Sequence, residues 1–557
     1  MSPSGALGRA AALCLAVLVQ APAQAGWLGS AQIRNVDRVF KAYGPDTPGC
    51  ALGVFHGGAI AYARGYGMAD LERGVRITPH SLFDVGSVSK QFSAAAILLL
   101  ADRGKLSLND DVRKFIPEMP RYGAPITLNE LMWHTSGLRD YTDLLELQGY
   151  GLEQRTTDDE ALAAIVRQRG LEFPSGTQYE YSNTNYFLLS AIVKRVTGKT
   201  LALFVRDNVF TPLHMAHTMY RTDYAMLIPN RAMGYAPSGG QYRNSMSNWE
   251  QTGDGGVQLS VNDAFRWDRN FYDPIVGGPR LIAQMQTPGR LSNGTRLQYA
   301  RGLFVGSYRG LRTVEHDGAW IGYRAAFERY PSVRTSVVVL CNSDDSHPSA
   351  LARNVADIVL QPYLRAGAAG TRSDLGAHPI PPRYLTGSYF DSAGGDVYTI
   401  ASKGDGIVLQ LGETLYPLRP LSRTAFQVGS TTVRFSIGRD GFANALSLEA
   451  AGESTPAQRF TPWKPRPAEL AGAAGEYTSA DLGVTWRFSV EGSTLTLQPS
   501  RNLPDGAAGA LTPLMRDTFS DGAGGFTIRF DRAAGGRIGG ITLSAGRGLR
   551  SLPFTRR

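Results

Sequence analysis

"GSVSKQFSAAAILLLADRGK" runs from Gly86 to Lys105, and its reading decides how the long N-terminal part of the chain is understood. Its centre is apolar nearly all round, the mark of a helix buried on every side rather than one with a solvent face. Ser87 stands three residues before Lys90 at the entry to that helix, so the two side chains share one face. Ser-x-x-Lys alone is a weak pattern, and its ordinary reading is a serine cap followed by a solvated lysine. In a buried helix that reading fails, because a lysine is rarely buried without a task. Desolvation and the positive end of the helix dipole both favour the neutral amine, which can accept a proton from serine. Gly86 lets the chain turn sharply beside Ser87. The Ser87 N–H, among the free amides of a helix start, can help bind an oxyanion.

Working outward, "GCALGVFHGGAIAYARGYG" (Gly49–Gly67) alternates apolar and polar residues around a turn and reads as a β-hairpin. Helical patterns dominate beyond Lys105, at Asp158–Arg169, Asn185–Val196 closed by Gly198, and Val261–Tyr272. Three strand-like runs follow, "ARGLFVGSYRGLRTVEH", "YRAAFERY" and "TSVVVLCN", then a helix in "PSALARNVADIVLQPYL". The hairpin and the later strands can join in one antiparallel sheet, with the helices covering it and building a second lobe.

Two further stretches carry candidate chemistry. In "YEYSNTNY", Tyr181 and Asn183 lie at i and i+2, which in an extended segment point the same way. A phenol can relay a proton between serine and leaving group, and an amide can orient Lys90 and a substrate carbonyl. In "EHDGAWIGY", a strand edge beside the serine would supply a second oxyanion N–H, from Ala319. Gly318 would allow close backbone approach, and His316 would line the site. A lone histidine is more often structural than catalytic. His134, Ser136, His214 and His217 are read as structural. The chain has no Gly-x-Ser-x-Gly elbow, which tells against an α/β-hydrolase.

In this order and at these intervals, the three stretches resemble the serine-active penicillin-recognising family, which includes class C β-lactamases, DD-peptidases, related esterases and D-aminopeptidases. "YSN" stands where related enzymes carry Ser-Asp-Asn, and "HDG" stands where they carry Lys-Thr-Gly. "LMWHTSGLRDY", "VFTPLHMAHT" and "GDGGVQLSVND" fit as well, so the resemblance covers about Ile33 to Leu364. It implies an α/β (α+β) β-lactamase/DD-peptidase-like catalytic domain with an antiparallel sheet and a helical lobe. It also implies an acyl-enzyme on Ser87, with Lys90 and Tyr181 sharing the base and acid roles in an order the residues leave open. Asn183 positions Lys90 and substrate, His316 lines the site, and Gly318 and Ala319 bind substrate. Neither a metal nor an organic cofactor is needed.

After a Gly/Ala/Pro-rich linker at 366–382, the composition changes to short alternating runs divided by Gly and Asp, an all-β pattern. This tail repeats itself. "LRPLSRTAF" from Leu418 matches "LTPLMRDTF" from Leu511, "TVRF" from Thr432 matches "TIRF" from Thr527, and "LTGSY" from Leu385 parallels "LAGAAGEY" from Leu470. Two related β-barrel (lipocalin-like) or sandwich modules are expected, at 383–462 and 466–557, behind a catalytic domain at 26–365. The second copy is longer, with the excess best placed in "PSRNLPDGAAG" (Pro499–Gly509). A catalytic domain followed by two barrels resembles the D-aminopeptidases, in which a loop from the last barrel reaches the active site. That resemblance would bring Asp505 to a substrate ammonium.

The N-terminus reads as a secretory signal over residues 1–25: Arg9, the short apolar core "AAALCLAVLVQ", then "AQA" at Ala23–Ala25. A periplasmic or secreted enzyme is therefore expected. Cys50 and Cys341 lie in strand-like runs and are expected to be buried free thiols, since a disulfide would require adjacent strands in register. The net charge of +9 is spread over 557 residues without a Lys/Arg-rich block or a nucleic-acid motif. The expected partners are small peptide, amide or ester substrates, with peptidoglycan fragments among them and a homodimer allowed for; nucleic acid is not one. The preferred activity is an aminopeptidase or amidase on D-amino-acid-containing peptides or amides. Esterase, DD-carboxypeptidase or β-lactamase activity is the alternative within the family, and a non-catalytic peptidoglycan-binding protein is the alternative outside it.

Overall fold

The computed structural model describes residues 27–365 and 380–557, apart from short stretches at 405, 412–413, 429–430, 451–452, 502, 504–507, 522–524 and 546–547. The expected signal segment, most of the expected linker and Asp505 lie outside the described residues.

The sheet that frames the site has six strands: β1 (Cys50–His56), β2 (Ala59–Tyr66), β3 (Phe304–Tyr308), β4 (Leu311–Trp320), β5 (Tyr323–Tyr330) and β6 (Thr335–Cys341). They lie in the order β3-β4-β5-β6-β1-β2 and every pairing is antiparallel. The run "ARGLFVGSYRGLRTVEH", read as one strand, forms two. Arg309 and Gly310 both take positive φ, 47° and 87°, and close a tight hairpin between β3 and β4. β4 then continues through His316 and Gly318 to Trp320.

Each central strand is buried on both sides and divides its residues between two cores. Ala51, Phe55, Val338 and Leu340 face a helical lobe. Leu52, Val54, Val337 and Val339 face a layer made by α1 (Ser30–Val39) and the C-terminal helix Pro348–Val359. Within the lobe, α2 (Lys90–Asp102) is buried from Lys90 through Leu100, as its all-round apolar pattern demands. The helix expected at Asn185–Val196 is α3 (Asn183–Thr197), which stops at Gly198 in the left-handed conformation.

Cys50 and Cys341 are not free thiols. They face each other across the β1–β6 pair, and their Cα atoms are 4.1 Å apart, bridged by a disulfide. Residue spacing could not show this, because the two strands become neighbours only through the whole intervening domain, 291 residues long.

Beyond residue 380 the chain forms two closed eight-stranded antiparallel barrels, each an up-and-down meander, spanning Gly387–Phe460 and Gly475–Arg556. Closure removes the exposed strand edges that an open sheet of this size would present. The repeat is structural as well as sequential. Tyr389 donates its hydroxyl to Leu385 O at 2.7 Å, and Tyr477 does the same to Ala473 O at 3.0 Å. Arg459 caps Thr386 O as Arg556 caps Ala474 O. The second barrel shares a continuous apolar core with the helical lobe, whereas the first keeps a core of its own.

Closing the 291-residue loop restricts the unfolded chain. Cys50→Ala/Cys341→Ala is therefore expected to cost about 2–5 kcal/mol, read as a lower urea midpoint than that of the oxidised wild type.

Candidate active site

Ser87 lies on a 3-10 turn, Gly86–Ser89, which leads directly into α2 at Lys90. The turn needs its glycine. Gly86 has φ +48°, and a Cβ there would sit 2.9 Å from both the N and the O of Ala319. Gly318 presses on the same turn from β4: a Cβ on it would lie 2.0 Å from Val85 O and 3.1 Å from Ser87 N. The main chain of Gly318–Ala319 therefore runs against the Ser87 turn without side chains between them.

Lys90 is completely buried, and its ammonium position meets three acceptors: Ser87 Oγ at 3.0 Å, Asn183 Oδ1 at 2.8 Å and the main-chain oxygen of Asp254 at 2.9 Å. Burial pulls its pKa down to about 8, against the opposing charges of Asp254, Asp140 and Asp317. The amide oxygen and the carbonyl can only accept. A neutral Lys90 that keeps both of those bonds has spent its two N–H groups, and its lone pair then points at Ser87 Oγ.

Tyr181 and Asn183 close the other side, though not as two residues of one extended strand. Ser182 is extended, and Asn183 is already the first residue of α3. The ring of Tyr181 lies 4.8 Å from Lys90 Nζ. Its hydroxyl is buried without a hydrogen-bond partner among the described residues. Burial raises its pKa well above that of a free phenol, and the Ser87 hydroxyl opposes the rise. Tyr181 is thus a proton-bearing phenol placed near Ser87 but short of a full hydrogen bond to it. Asn183 is held through its main chain, which donates to Asp140 Oδ2 at 2.6 Å.

His316 sits one layer back, its ring 6.2 Å from that of Tyr181. Its Nδ1 donates to Asp317 O at 2.5 Å, so Nε2 carries the lone pair that accepts the Tyr299 hydroxyl at 3.0 Å. Burial pushes its pKa down to about 4, and the ring is neutral at ordinary pH. Asp505 lies outside the described residues.

Two contributors, Asp254 and Tyr299, carried no assigned role in the sequence reading, and a third, His134, was read as structural. Asp254 acts on Lys90 through a main-chain oxygen, which no side-chain pattern announces, and its carboxylate accepts the Tyr141 hydroxyl at 3.1 Å. Tyr299 holds His316. His134 stacks on Tyr181 at 4.2 Å between ring centroids and accepts the Ser182 N–H at 3.2 Å. Among the described residues no cluster of His, Cys, Asp or Glu is placed to hold a metal ion.

A buried lysine against a serine on a helix-entry turn, beneath a strand edge, defines the serine hydrolases of penicillin-recognising type. The beta-lactamase family profile matches residues 36–361, and the chain belongs to that family. It is 28% identical to a D-aminopeptidase of Gluconobacter oxydans over 88% of this chain and 92% of that protein, so the match reaches beyond the catalytic domain. It is also 28% identical to penicillin-binding protein 4* of Bacillus subtilis, over 71% of this chain and 92% of the other. Among solved structures it superposes on the octameric penicillin-binding protein homologue of Pyrococcus abyssi with a TM-score of 0.55 and 20% identity. That match covers 84% of this chain and 96% of the other. The fold and the enzyme class expected from the sequence are those found.

Because Gly318 leaves no room for even a methyl group, Gly318→Ala is expected to displace β4 from the Ser87 turn. The rate constant for labelling of Ser87 by a fluorophosphonate should fall about a hundredfold, the scale of a misplacement near 1 Å. An unchanged rate would mean that the strand is not held where the structure puts it.

Proposed function

We propose that the protein is an exported serine hydrolase that works through an acyl-enzyme and removes N-terminal D-residues from peptides or amides. The observation that carries the mechanism is the three-acceptor setting of Lys90. Ser87 Oγ attacks the substrate carbonyl carbon while its proton passes to the lone pair of Lys90. The oxyanion is held by the N–H groups of Ser87 and Ala319. Collapse breaks the C–N bond, and the Tyr181 phenol gives its proton to the leaving amine. That step supplies the partner the buried hydroxyl lacks at rest. Lys90, now an ammonium, returns its proton to the Tyr181 phenolate. Water then attacks the acyl ester, with its proton taken by the same groups and Ser87 restored.

Two observations support the substrate class. His316 is neutral, so the third motif has no fixed cation for the carboxylate of a penicillin or a C-terminal peptide. The likeness to the Gluconobacter oxydans D-aminopeptidase covers 88% of this chain and 92% of that protein, more than the catalytic domain alone. The N-terminal secretory pattern supports export to the periplasm or beyond.

Lys90 must be neutral to act as base. Activity is therefore expected to rise with pH through about 8, its ammonium fraction falling there, and kcat/KM measured from pH 6 to 10 checks this. A flat profile would remove Lys90 as the base. D-alanyl p-nitroanilide should be turned over, while L-alanyl p-nitroanilide and N-acetyl-D-alanyl p-nitroanilide should not. Intact-mass spectrometry after fluorophosphonate treatment should show one adduct in wild type and none in Ser87→Ala. Ester turnover without amide turnover would make the protein an esterase. No adduct on folded wild type would make it a binding protein.

A further inference from the structure

The second barrel touches the catalytic domain through buried charge as well as apolar core. Arg139, its side chain 4% exposed, donates Nε to Glu172 at 2.6 Å. The same guanidinium reaches Asp481 of the barrel at 2.9 Å and the carbonyl of Ser551 at 3.1 Å. Next to it, the Asp140 N–H donates to Gly548 O at 3.2 Å. From the barrel side, Arg550 donates its main-chain N–H to Glu172 Oε2 at 2.9 Å and its guanidinium to Glu180.

Both grips end on the same short segment of the site. The Arg139 carbonyl accepts the Thr184 hydroxyl at 2.6 Å, and Asp140 Oδ2 accepts the Asn183 N–H at 2.6 Å. Glu180 is peptide-bonded to Tyr181. The barrel hairpin at Gly548–Ser551 thus holds residues 139–140 on one side of Tyr181–Asn183 and Glu180 on the other. A buried ion pair adds little net stability, because desolvation offsets its Coulomb energy; what it fixes is geometry. Arg550 is the guanidinium partner of Glu180, a residue only 8% exposed. Without it that buried carboxylate loses its ion pair and is driven toward water, and Glu180 moves with Tyr181 attached.

We infer that Arg550 is a positioning residue which sets Tyr181 and Asn183 against Ser87 and Lys90. The inference rests on the proposed roles of Tyr181 and Asn183 in the reaction of Ser87.

The test uses the full chain and two readouts: the fluorophosphonate rate constant at Ser87, and kcat and KM on D-alanyl p-nitroanilide. Arg550→Ala, with far-UV and near-UV circular dichroism matching wild type, is expected to lose about ten- to a hundredfold in labelling rate and kcat, with KM little changed. Arg550→Lys should recover part of the loss. Arg487→Ala, which removes an exposed ion pair on the same barrel, should leave both readouts at wild-type values. Should Arg550→Ala fail to fold, Glu180→Gln weakens the same contact with little change of shape and should still slow labelling several-fold. A folded Arg550→Ala or Glu180→Gln that labels and turns over like wild type overturns the inference alone. No adduct on wild type overturns the catalytic reading and this inference with it.

Discussion

Everything at the centre of this molecule depends on keeping one amine out of water. Lys90 has no exposed surface and three fixed acceptors, and the fold is arranged to make that tolerable. The apolar helix α2 desolvates it, α3 supplies the Asn183 amide, and the segment around Asp254 supplies a carbonyl. A buried ammonium is costly unless it is paired and hydrogen-bonded, and the cost falls when the proton leaves. The same burial that makes Lys90 an expensive core residue makes it a usable base near neutral pH. Stability has been exchanged for reactivity at one position, and the core clusters around it make the loss bearable.

How much of this could be read from the chain depended on how local each relation was. Ser87 and Lys90 are three residues apart, and helix geometry alone brings them together. Gly318 was legible because a strand that must approach another backbone cannot carry a side chain. The barrels were legible as a repeat, although the hydroxyl of Tyr389 and its counterpart Tyr477 show the duplication more sharply than any matched string. The relations that stayed hidden are the long-range ones. The Cys50–Cys341 bridge depends on strand register across 291 residues. The contact of Asp254 with Lys90 runs through main chain and leaves no residue-type signature. Arg550 and Glu180 meet across 370 positions and two domains.

The sheet and the lobe divide the work. Strand β4 brings backbone only, through Gly318 and Ala319, and the lobe brings the side chains of Lys90, Tyr181 and Asn183. His316, one layer behind, keeps its ring neutral by burial and hands its single lone pair to Tyr299. It therefore shapes the wall of the site without adding charge to it. A lysine at that position would impose a cation on every ligand, and the neutral ring leaves the choice of ligand to the rest of the pocket.

The order of domains along the chain has a consequence for timing. The first barrel separates the catalytic domain from the second, yet it is the second whose core is continuous with the lobe and whose hairpin contacts Arg139, Asp140 and Glu180. A ribosome makes Ser87, Lys90 and Tyr181 long before it makes Arg550. During synthesis, Ser87 and Lys90 exist before the residue that pairs with Glu180 beside Tyr181. The contact between Arg550 and Glu180 can therefore form only when nearly the whole chain has emerged. A chain cut short within either barrel would keep Ser87 and Lys90 but lack the Arg550 contact with Glu180, so completeness of the chain is registered at the site itself.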